Sequence, residues 1–170
     1  CISVWSQTIP DWILCNVKML EYFGGVPRII TSDNLKSAVT KITRSGPLIN
    51  PTYAEFAEHY DTAILPARSR RPDDKGSVEV SVQIAQRWIL AALRHRQFYS
   101  LEEANAEILK LLEIFNHREM KAYKALRQQR YEMLDKPALK PLPDTAYEYA
   151  AWRLKVRVGD NYHALHDGHY

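Results

Sequence analysis

The sequence has few cysteines and no long apolar run. Its two cysteines, Cys1 and Cys15, form no CxxC pair and are too few for a disulfide framework, which fits a reducing compartment. No apolar stretch approaches the roughly 20 residues that span a bilayer, and the first residues lack the charged and apolar regions of a signal peptide. We find no internal repeat and no low-complexity stretch. These absences argue against a secreted disulfide scaffold and predict no association with a membrane.

The 170 residues have the composition of a globular protein, with 46% hydrophobic and 25% charged residues. The net charge is only +3, but the charges are unevenly distributed. Residues 67–98 hold seven Lys or Arg against three Asp or Glu, whereas the segments on either side are close to neutral. A basic segment in a near-neutral chain indicates a binding site for a polyanion.

Helical and strand patterns alternate along the first half of the chain, which predicts an α/β core. Strands are predicted at 2–5, 27–31 and 62–65. Helices are predicted at 10–23, at 53–60, at 77–97 and, briefly, through Leu35, Ala38 and Val39.

The second half begins with another predicted helix. Ser100 and Glu103 have the spacing of a capping box before an apolar pattern that runs to Phe115, as Thr52 and Glu55 do before the helix at 53–60. Three prolines between residues 136 and 143 then predict a linker. Residues 151–158 have a strand pattern, and the turn signals that follow resemble the start of a small β-barrel. We therefore expect the chain to be part of a longer protein.

Two carboxylates stand at positions that suit a catalytic site. Asp33 follows a predicted strand, and Glu79 begins the long predicted helix after a basic loop. Each residue alone is an ordinary helix cap or a first-turn acid that favours the helix dipole. Asp73 and Asp74 are second choices for the position of Glu79, because they lie in the loop before the helix.

The residues around these carboxylates resemble a known superfamily. Thr31-Ser-Asp-Asn34 and Lys75-Gly-Ser-Val-Glu79 resemble the second and third carboxylate motifs of the DDE transposases and retroviral integrases. Longer segments are similar to the IstA-type insertion-sequence transposases, namely residues 21–28, 33–41, 50–60 and 137–141. The resemblance extends from about residue 10 to Tyr170.

The resemblance implies an α/β fold with a ribonuclease-H-like core, in which helices flank a mixed sheet. Residues 1–117 would form an integrase catalytic core lacking its first strands, 118–150 a helical and Pro-rich linker, and 151–170 the start of a C-terminal β-barrel. The family's first catalytic Asp would then lie upstream of Cys1. Asp11 does not replace it, because Asp11 falls in the opening turn of a predicted helix.

The resemblance also implies the reaction, a metal-dependent 3′-end cleavage and strand transfer of transposon DNA. Asp33 and Glu79 would be catalytic ligands of two Mg²⁺ or Mn²⁺ ions, since hard cations prefer carboxylate oxygens and phosphodiester transfer uses paired ions. Without the upstream Asp, we expect the present chain alone to be inactive.

DNA is the expected substrate, and basic residues near the two carboxylates are its predicted contacts. The predicted DNA-binding residues are Asn34, Lys36, Arg68, Arg70, Arg71 and Lys75. For Arg68, Arg70, Arg71 and Lys75, the alternative is a solvated basic loop. For Asn34 and Lys36, the alternative is a role as a local cap. The resemblance further implies a homo-multimer, an AAA+ ATPase helper and a cytoplasmic, nucleoid-associated location in bacteria.

Other functions stay open at the level of sequence. The principal alternative is a non-catalytic nucleic-acid-binding or assembly module from a decayed element. His163, His166 and His169 do not predict a metal site, because residues i and i+3 of a strand face opposite sides. Trp88, Trp152 and the ten tyrosines are interpreted as packing residues rather than as platforms for bases.

Overall fold

The computed structural model of the chain describes residues 1–32, 39–43, 46–66, 76–120 and 123–150. The first half contains α1 (Ile9–Phe23), β1 (Ile29–Ser32), β2 (Val39–Thr43), β3 (Gly46–Ile49), α2 (Pro51–His59) and β4 (Ala63–Pro66). The second half contains α3 (Gly76–Ala85), a π-helical turn (Gln86–Leu90), α4 (Ala91–Leu93), α5 (Leu101–Asn116), β5 (Glu119–Met120), β6 (Ala125–Leu126), α6 (Arg127–Arg130), a second π-helical turn (Tyr131–Asp135) and a 3₁₀ turn (Lys136–Ala138).

Helix α1 ends where its sequence predicts. Gly24 adopts a left-handed conformation with φ of 65°, and its N–H donates to the carbonyl of Glu21. Glycine accepts this conformation without the steric penalty that a Cβ would bring. The predicted helix at 10–23 is therefore confirmed, with one additional residue at its start.

Strands β1 and β4 form a parallel pair. The register begins with Ile29 opposite Ala63 and ends with Ser32 opposite Pro66. The hydroxyl of Thr62 donates to the carbonyl of Pro27 at 2.8 Å, just before the two strands start. Both predicted strands are confirmed, displaced by one or two residues, and their carboxyl ends lie side by side.

The core lies where α1, α2 and β1 meet. Ile13 and Leu20 of α1 belong to one buried cluster with Tyr53 and Phe56 of α2, and all four side chains are at most 1% exposed. The rings of Tyr53 and Phe56 stack with their centres 5.6 Å apart. Each such buried side chain stabilises the fold by about 1.5–3 kcal/mol, so this cluster fixes the position of β1 against the two helices.

The start of α2 corrects one of the two predicted capping boxes. Helix α2 begins at Pro51, and the side chain of Asn50 accepts from the N–H of Thr52 at 3.0 Å. The cap is therefore Asn50 and not Thr52, because Pro51 has no N–H and occupies the first helical position. Glu55 instead accepts from the hydroxyl of Tyr147.

The capping box of α5 is confirmed. The hydroxyl of Ser100 accepts from the N–H of Glu103 at 3.1 Å. The carboxylate of Glu103 returns to the N–H of Tyr99 at 3.0 Å, one residue before the cap. The predicted apolar pattern gives a helix that reaches Asn116.

Two predictions for the amino-terminal half of the chain are wrong. Residues 2–5 form no strand; the amide side chain of Asn105 pairs with both backbone groups of Ser3, at 2.7 and 3.0 Å. Val39, predicted in a brief helix, begins strand β2, which pairs antiparallel with β3. The β-branched side chains of β2 favour a strand there. Leu35 and Ala38 lie outside the described residues.

The long predicted helix ends earlier than expected. It continues from α3 through the π-helical turn and stops at Leu93, whose carbonyl accepts from the N–H of Arg96 at 2.9 Å. This tighter turn closes the helix four residues before the predicted end at Gln97. No helix among the described residues is both long and apolar enough to cross a membrane.

The Pro-rich segment lies against the core. Val26 and Lys140 exchange two backbone hydrogen bonds of 2.9 Å each. A Cβ on Gly25 would come within 2.7 Å of the Cβ of Leu139, so this close approach requires glycine. Further along, Leu142 and Tyr147 pack on the core cluster. The predicted strand at 151–158 and the turns after it lie outside the described residues, and the domain boundaries stay predictions.

The predicted α/β class is confirmed. One parallel strand pair, β1 with β4, and two antiparallel pairs, β2 with β3 and β5 with β6, are accompanied by helices. The parallel pair is the part of this architecture that positions the candidate site.

Candidate active site

The carboxyl ends of β1 and β4 define the candidate site. Ser32 and Pro66 lie opposite each other in the last pair of the parallel register. Asp33 is the next residue after β1, and the basic segment that contains Arg68 starts two residues after β4. Because parallel strands present their carboxyl ends at one edge, the two segments leave the sheet from neighbouring points.

The structure places only part of the predicted site. Glu79 lies in the first turn of α3, as predicted, and its backbone is described there. The other predicted residues lie outside the described residues, namely Asp33, Asn34, Lys36, Arg68, Arg70, Arg71 and Lys75, together with the second choices Asp73 and Asp74. Their roles, and that of Glu79, stay predictions.

The donors predicted at this edge fit a hard divalent cation in their chemistry. Asp33 and Glu79 would offer carboxylate oxygens, which Mg²⁺ prefers. Within the described part of the chain, no three His, Cys, Asp or Glu side chains group as metal ligands would. The side chains of the two predicted ligands do not belong to that part.

Ser32 is a polar residue of this edge that the sequence interpretation missed. Its side chain is 4% exposed, and its hydroxyl has no hydrogen-bond partner among the described residues. The available signal was the alternation of side chains along a strand, which puts Ser32 on the same face as Ile30, and both are buried. Because an unpaired buried hydroxyl is costly, the position favours a polar partner beside Asp33.

A separate cavity of about 680 Å³ lies between α1, α3 and α5. It is mainly apolar, with Met19, Ile84 and Leu112 among its lining residues, and no described residue of β1 or β4 lines it. Burial raises the pKa of the Cys15 thiol in its wall, which keeps that thiol in its neutral, weakly nucleophilic form. Within the described part of the chain, the cavity and the β1–β4 pair therefore share no lining residue.

Trp88, which we interpreted as a packing residue, lines the apolar cavity but is only partly buried. Its side chain is 49% exposed, and the guanidinium of Arg118 lies 3.5 Å from the centre of its ring. Two further arginines, Arg127 and Arg130, stack on aromatic rings. Sequence spacing offered little signal for these pairs, because their members come from different elements.

Comparison with known proteins gives the family. A protein of Sinorhizobium fredii strain NGR234, named "Putative transposase y4bL/y4kJ/y4tB", is 48% identical over 94% of this chain. A protein of Burkholderia multivorans strain ATCC 17616, named "Putative transposase for insertion sequence IS408", is 44% identical over 97% of it. The chain belongs to the insertion-sequence transposases. No protein-family model matches it.

A more distant relative supports the same family. The "Transposase for insertion sequence element IS21" of Pseudomonas aeruginosa is 28% identical over 88% of this transposase chain. Together these relatives confirm the predicted resemblance to the IstA type. The chain spans 31% of the length of the S. fredii relative, 32% of the B. multivorans relative and 40% of the P. aeruginosa relative.

Proposed function

We propose that the complete protein is a DDE-type DNA transposase, with Asp33 and Glu79 as two of its catalytic carboxylates. The observation that carries the proposal is the register of β1 and β4, which ends with Ser32 opposite Pro66. Asp33 follows the first of these residues directly, and the segment that leads to Glu79 follows the second. The names of the relatives support a role in transposition.

A ribonuclease-H-like core is the fold that we propose around this edge. Helix α1 precedes β1, the parallel partner β4 follows, and a long helical stretch begins with α3. This order is compatible with the later half of such a core. The first strands and the third carboxylate would lie upstream of Cys1, in the part of the relatives that this chain does not span.

The carboxylates of Asp33 and Glu79 would hold Mg²⁺ or Mn²⁺, in a site for two ions completed by the upstream Asp. Bound ions of this kind activate the attacking oxygen and stabilise the leaving oxygen of a phosphodiester. Asp33 follows directly after β1, whose inward-facing Ile30 belongs to the core cluster. Glu79 lies in the first turn of α3.

The substrate would be transposon-end DNA and then target DNA. In the first reaction, water attacks a phosphodiester at the transposon end and frees a 3′-hydroxyl. That hydroxyl then attacks a phosphodiester of the target, which joins the transposon end to the target and releases a target 3′-hydroxyl. Asn34, Lys36, Arg68, Arg70, Arg71 and Lys75 would contact phosphates on both sides of the scissile position. We also propose a homo-multimer and an AAA+ ATPase helper, as in the IstA type.

The first prediction tests the two carboxylates in the full-length transposase. Asp33→Asn and Glu79→Gln each keep the side-chain shape but remove a negative ligand. Each should lower strand transfer of a labelled transposon end more than about 100-fold, since even outer-shell changes at metal sites cost 10- to 100-fold. The double variant should lose little more, because both residues serve one centre.

Matched variants make this test specific. Asp144→Asn and Glu58→Gln change exposed carboxylates elsewhere on the chain, and both proteins should transfer strands at the wild-type rate. Asp73→Asn and Asp74→Asn test the second choices for Glu79. A thermal melt and a DNA-binding titration exclude unfolding. Robust transfer by the Asp33→Asn protein would favour a non-catalytic DNA-binding or assembly module.

A further inference from the structure

Three arginines stack on three aromatic rings to form what we call the arginine-aromatic surface. Arg118 lies 3.5 Å from the ring centre of Trp88, Arg127 lies 4.7 Å from that of Phe115, and Arg130 lies 3.8 Å from that of Tyr123. The elements that carry these residues are α5, the β5–β6 hairpin, α6 and the π-helical turn after α3. None of them forms the β1–β4 edge.

The hairpin brings the three arginines together. In its register Glu119 lies opposite Leu126, so Arg118 and Arg127, the residues just outside this pair, are neighbours at the open end of the hairpin. Arg130 follows Arg127 by one turn of α6 and therefore lies on the same side of that helix. The three residues are thus neighbours along the backbone fold, although 12 positions separate the first and the last in sequence.

Stacking prepares these guanidiniums for an anion. A guanidinium that packs face-on against a ring keeps its in-plane N–H donors free, and these donors match the oxygens of a phosphate. Among the described residues, none of the three arginines is in an ion pair. Holding each side chain on a ring also reduces the rotamer entropy that binding would otherwise cost.

Surrounding carboxylates weaken the local field. Glu119 is exposed nearby, and the exposed Glu113, Glu132 and Asp135 line one pocket with Arg127, Arg130 and Lys136. Glu132 already accepts a hydrogen bond from the side chain of Gln128. Lys124, in the turn of the hairpin, is exposed and adds a fourth cation. Trp88 is 49% and Tyr123 60% exposed, so both rings are open to solvent, as is Arg118, whereas Arg127 and Arg130 are half-buried.

We infer that the arginine-aromatic surface is a second DNA-binding site, which holds backbone phosphates of duplex DNA away from the β1–β4 edge. The inference rests on the proposed function for its choice of polyanion. Planar, pre-stacked guanidiniums suit bidentate contacts to phosphate. Contacts of this kind position a duplex without reading its sequence.

The second prediction is a salt titration of the full-length transposase. The triple variant Arg118→Gln, Arg127→Gln, Arg130→Gln should lower the slope of log K against log salt by about 2.7 on duplex DNA, because each lost phosphate contact contributes about 0.9. Fluorescence anisotropy would measure binding to a transposon end and to an unrelated duplex, with divalent ions chelated. The decrease in this slope should be the same for both duplexes.

Two further triple variants separate specific contacts from charge and from packing. The first control is the triple variant Lys18→Gln, Arg96→Gln, Lys110→Gln, which removes three cations that pair with glutamates elsewhere. It should change the slope of log K against log salt by less than about 0.9, the contribution of one phosphate contact. Replacing Arg118, Arg127 and Arg130 by lysine keeps the charge but removes the planar guanidinium and its paired N–H donors. The lysine variant should keep the wild-type slope of log K against log salt and bind DNA more weakly.

A parallel variant of the basic loop distinguishes this inference from the proposed function. Arg68→Gln, Arg70→Gln, Arg71→Gln tests the phosphate contacts proposed beside Asp33 and Glu79. If the loop variant lowers the slope and the arginine-aromatic variant does not, the inference is wrong and the proposed function stands. If neither changes the slope while both proteins melt as wild type, both proposals fail. A slope that falls equally in the Lys18, Arg96 and Lys110 control would also overturn the inference.

Discussion

At the residue scale, Tyr53 links the two helices of the core by a buried hydrogen bond. Its hydroxyl donates to the side-chain oxygen of Asn16 at 3.2 Å, and the amide nitrogen of Asn16 donates to the carbonyl of Trp12 at 2.8 Å. Asn16 is only 6% exposed. A buried amide of this kind is tolerated because its polar atoms are paired, so the phenol is more than an apolar filler.

The third prediction concerns this hydroxyl. Tyr53→Phe keeps the ring but leaves the oxygen of Asn16 without its donor, and it should lower the free energy of unfolding by about 1–2 kcal/mol. Chemical denaturation would measure the change. Tyr99→Phe is the control, since Tyr99 is 90% exposed and should give no loss. An equal loss in both proteins would contradict the role of the buried bond.

The same residue predicts a pH dependence. Burial raises the pKa of Tyr53 to about 12 from its ordinary value of 10. Because the folded pKa lies above the unfolded one, the stabilisation is complete below pH 10 and is lost as the pH rises towards about 12. Tyr53→Phe should remove this part of the alkaline decline, which unfolding at several pH values would show. If the loss of stability at alkaline pH is unchanged in Tyr53→Phe, groups other than Tyr53 cause it.

At the element scale, the start of α2 shows how one proline changes a cap. Thr52 and Glu55 have the spacing of a capping box, yet the helix starts earlier because Pro51 fits its first position. The cap then moves to the residue before the proline. Asn50 places its side-chain oxygen where the first free N–H, that of Thr52, can reach it.

The fourth prediction compares these two residues. Asn50→Ala removes the acceptor and should cost about 1 kcal/mol of stability, as for other helix caps. Thr52→Ala removes no cap and should change stability by less than about 0.5 kcal/mol. Thermal unfolding of both variants against wild type would measure the difference. A larger loss in the Thr52 variant would restore the capping box that the spacing suggested.

At the scale of the whole molecule, the Pro-rich segment is part of the packed body of the described chain. Its contacts reach α2 and Tyr60 rather than ending at the bridge between Val26 and Lys140. The N–H of Tyr147 donates to the hydroxyl of Tyr60 at 3.1 Å, and its ring meets that of Phe56 edge-on with the centres 5.9 Å apart. A side-chain nitrogen of His59 bonds the carbonyl of Thr145 at 2.9 Å.

The fifth prediction tests whether this segment unfolds together with the core. Tyr147→Ala should lower the free energy of unfolding by about 2 kcal/mol, below the 3–5 of a fully buried aromatic ring, because Tyr147 is only half-buried. Circular dichroism and tryptophan fluorescence should report one common transition. Tyr149→Ala, at a more exposed ring two residues away, is the control. Separate transitions for the two probes would show that the segment folds independently of the core.

The sequence by itself determined the features that depend on neighbouring residues. The end of α1 at Gly24, the cap of α5 at Ser100 and the strands before Asp33 and Arg68 each follow from local backbone preferences and side-chain hydrogen bonds. The segments at 21–28, 33–41, 50–60 and 137–141 also indicated the transposase family, which the relatives confirm.

Only the tertiary structure decided which distant segments meet. The pairing of Ser3 with Asn105, the close approach of Gly25 to Leu139 and the stacking of Arg118 on Trp88 join residues that no local pattern relates. Such contacts depend on how whole elements pack, and their side chains have no periodic spacing that would predict them. The physical reason is that caps and turns are satisfied within a few residues, whereas packing and stacking need a complete fold around them.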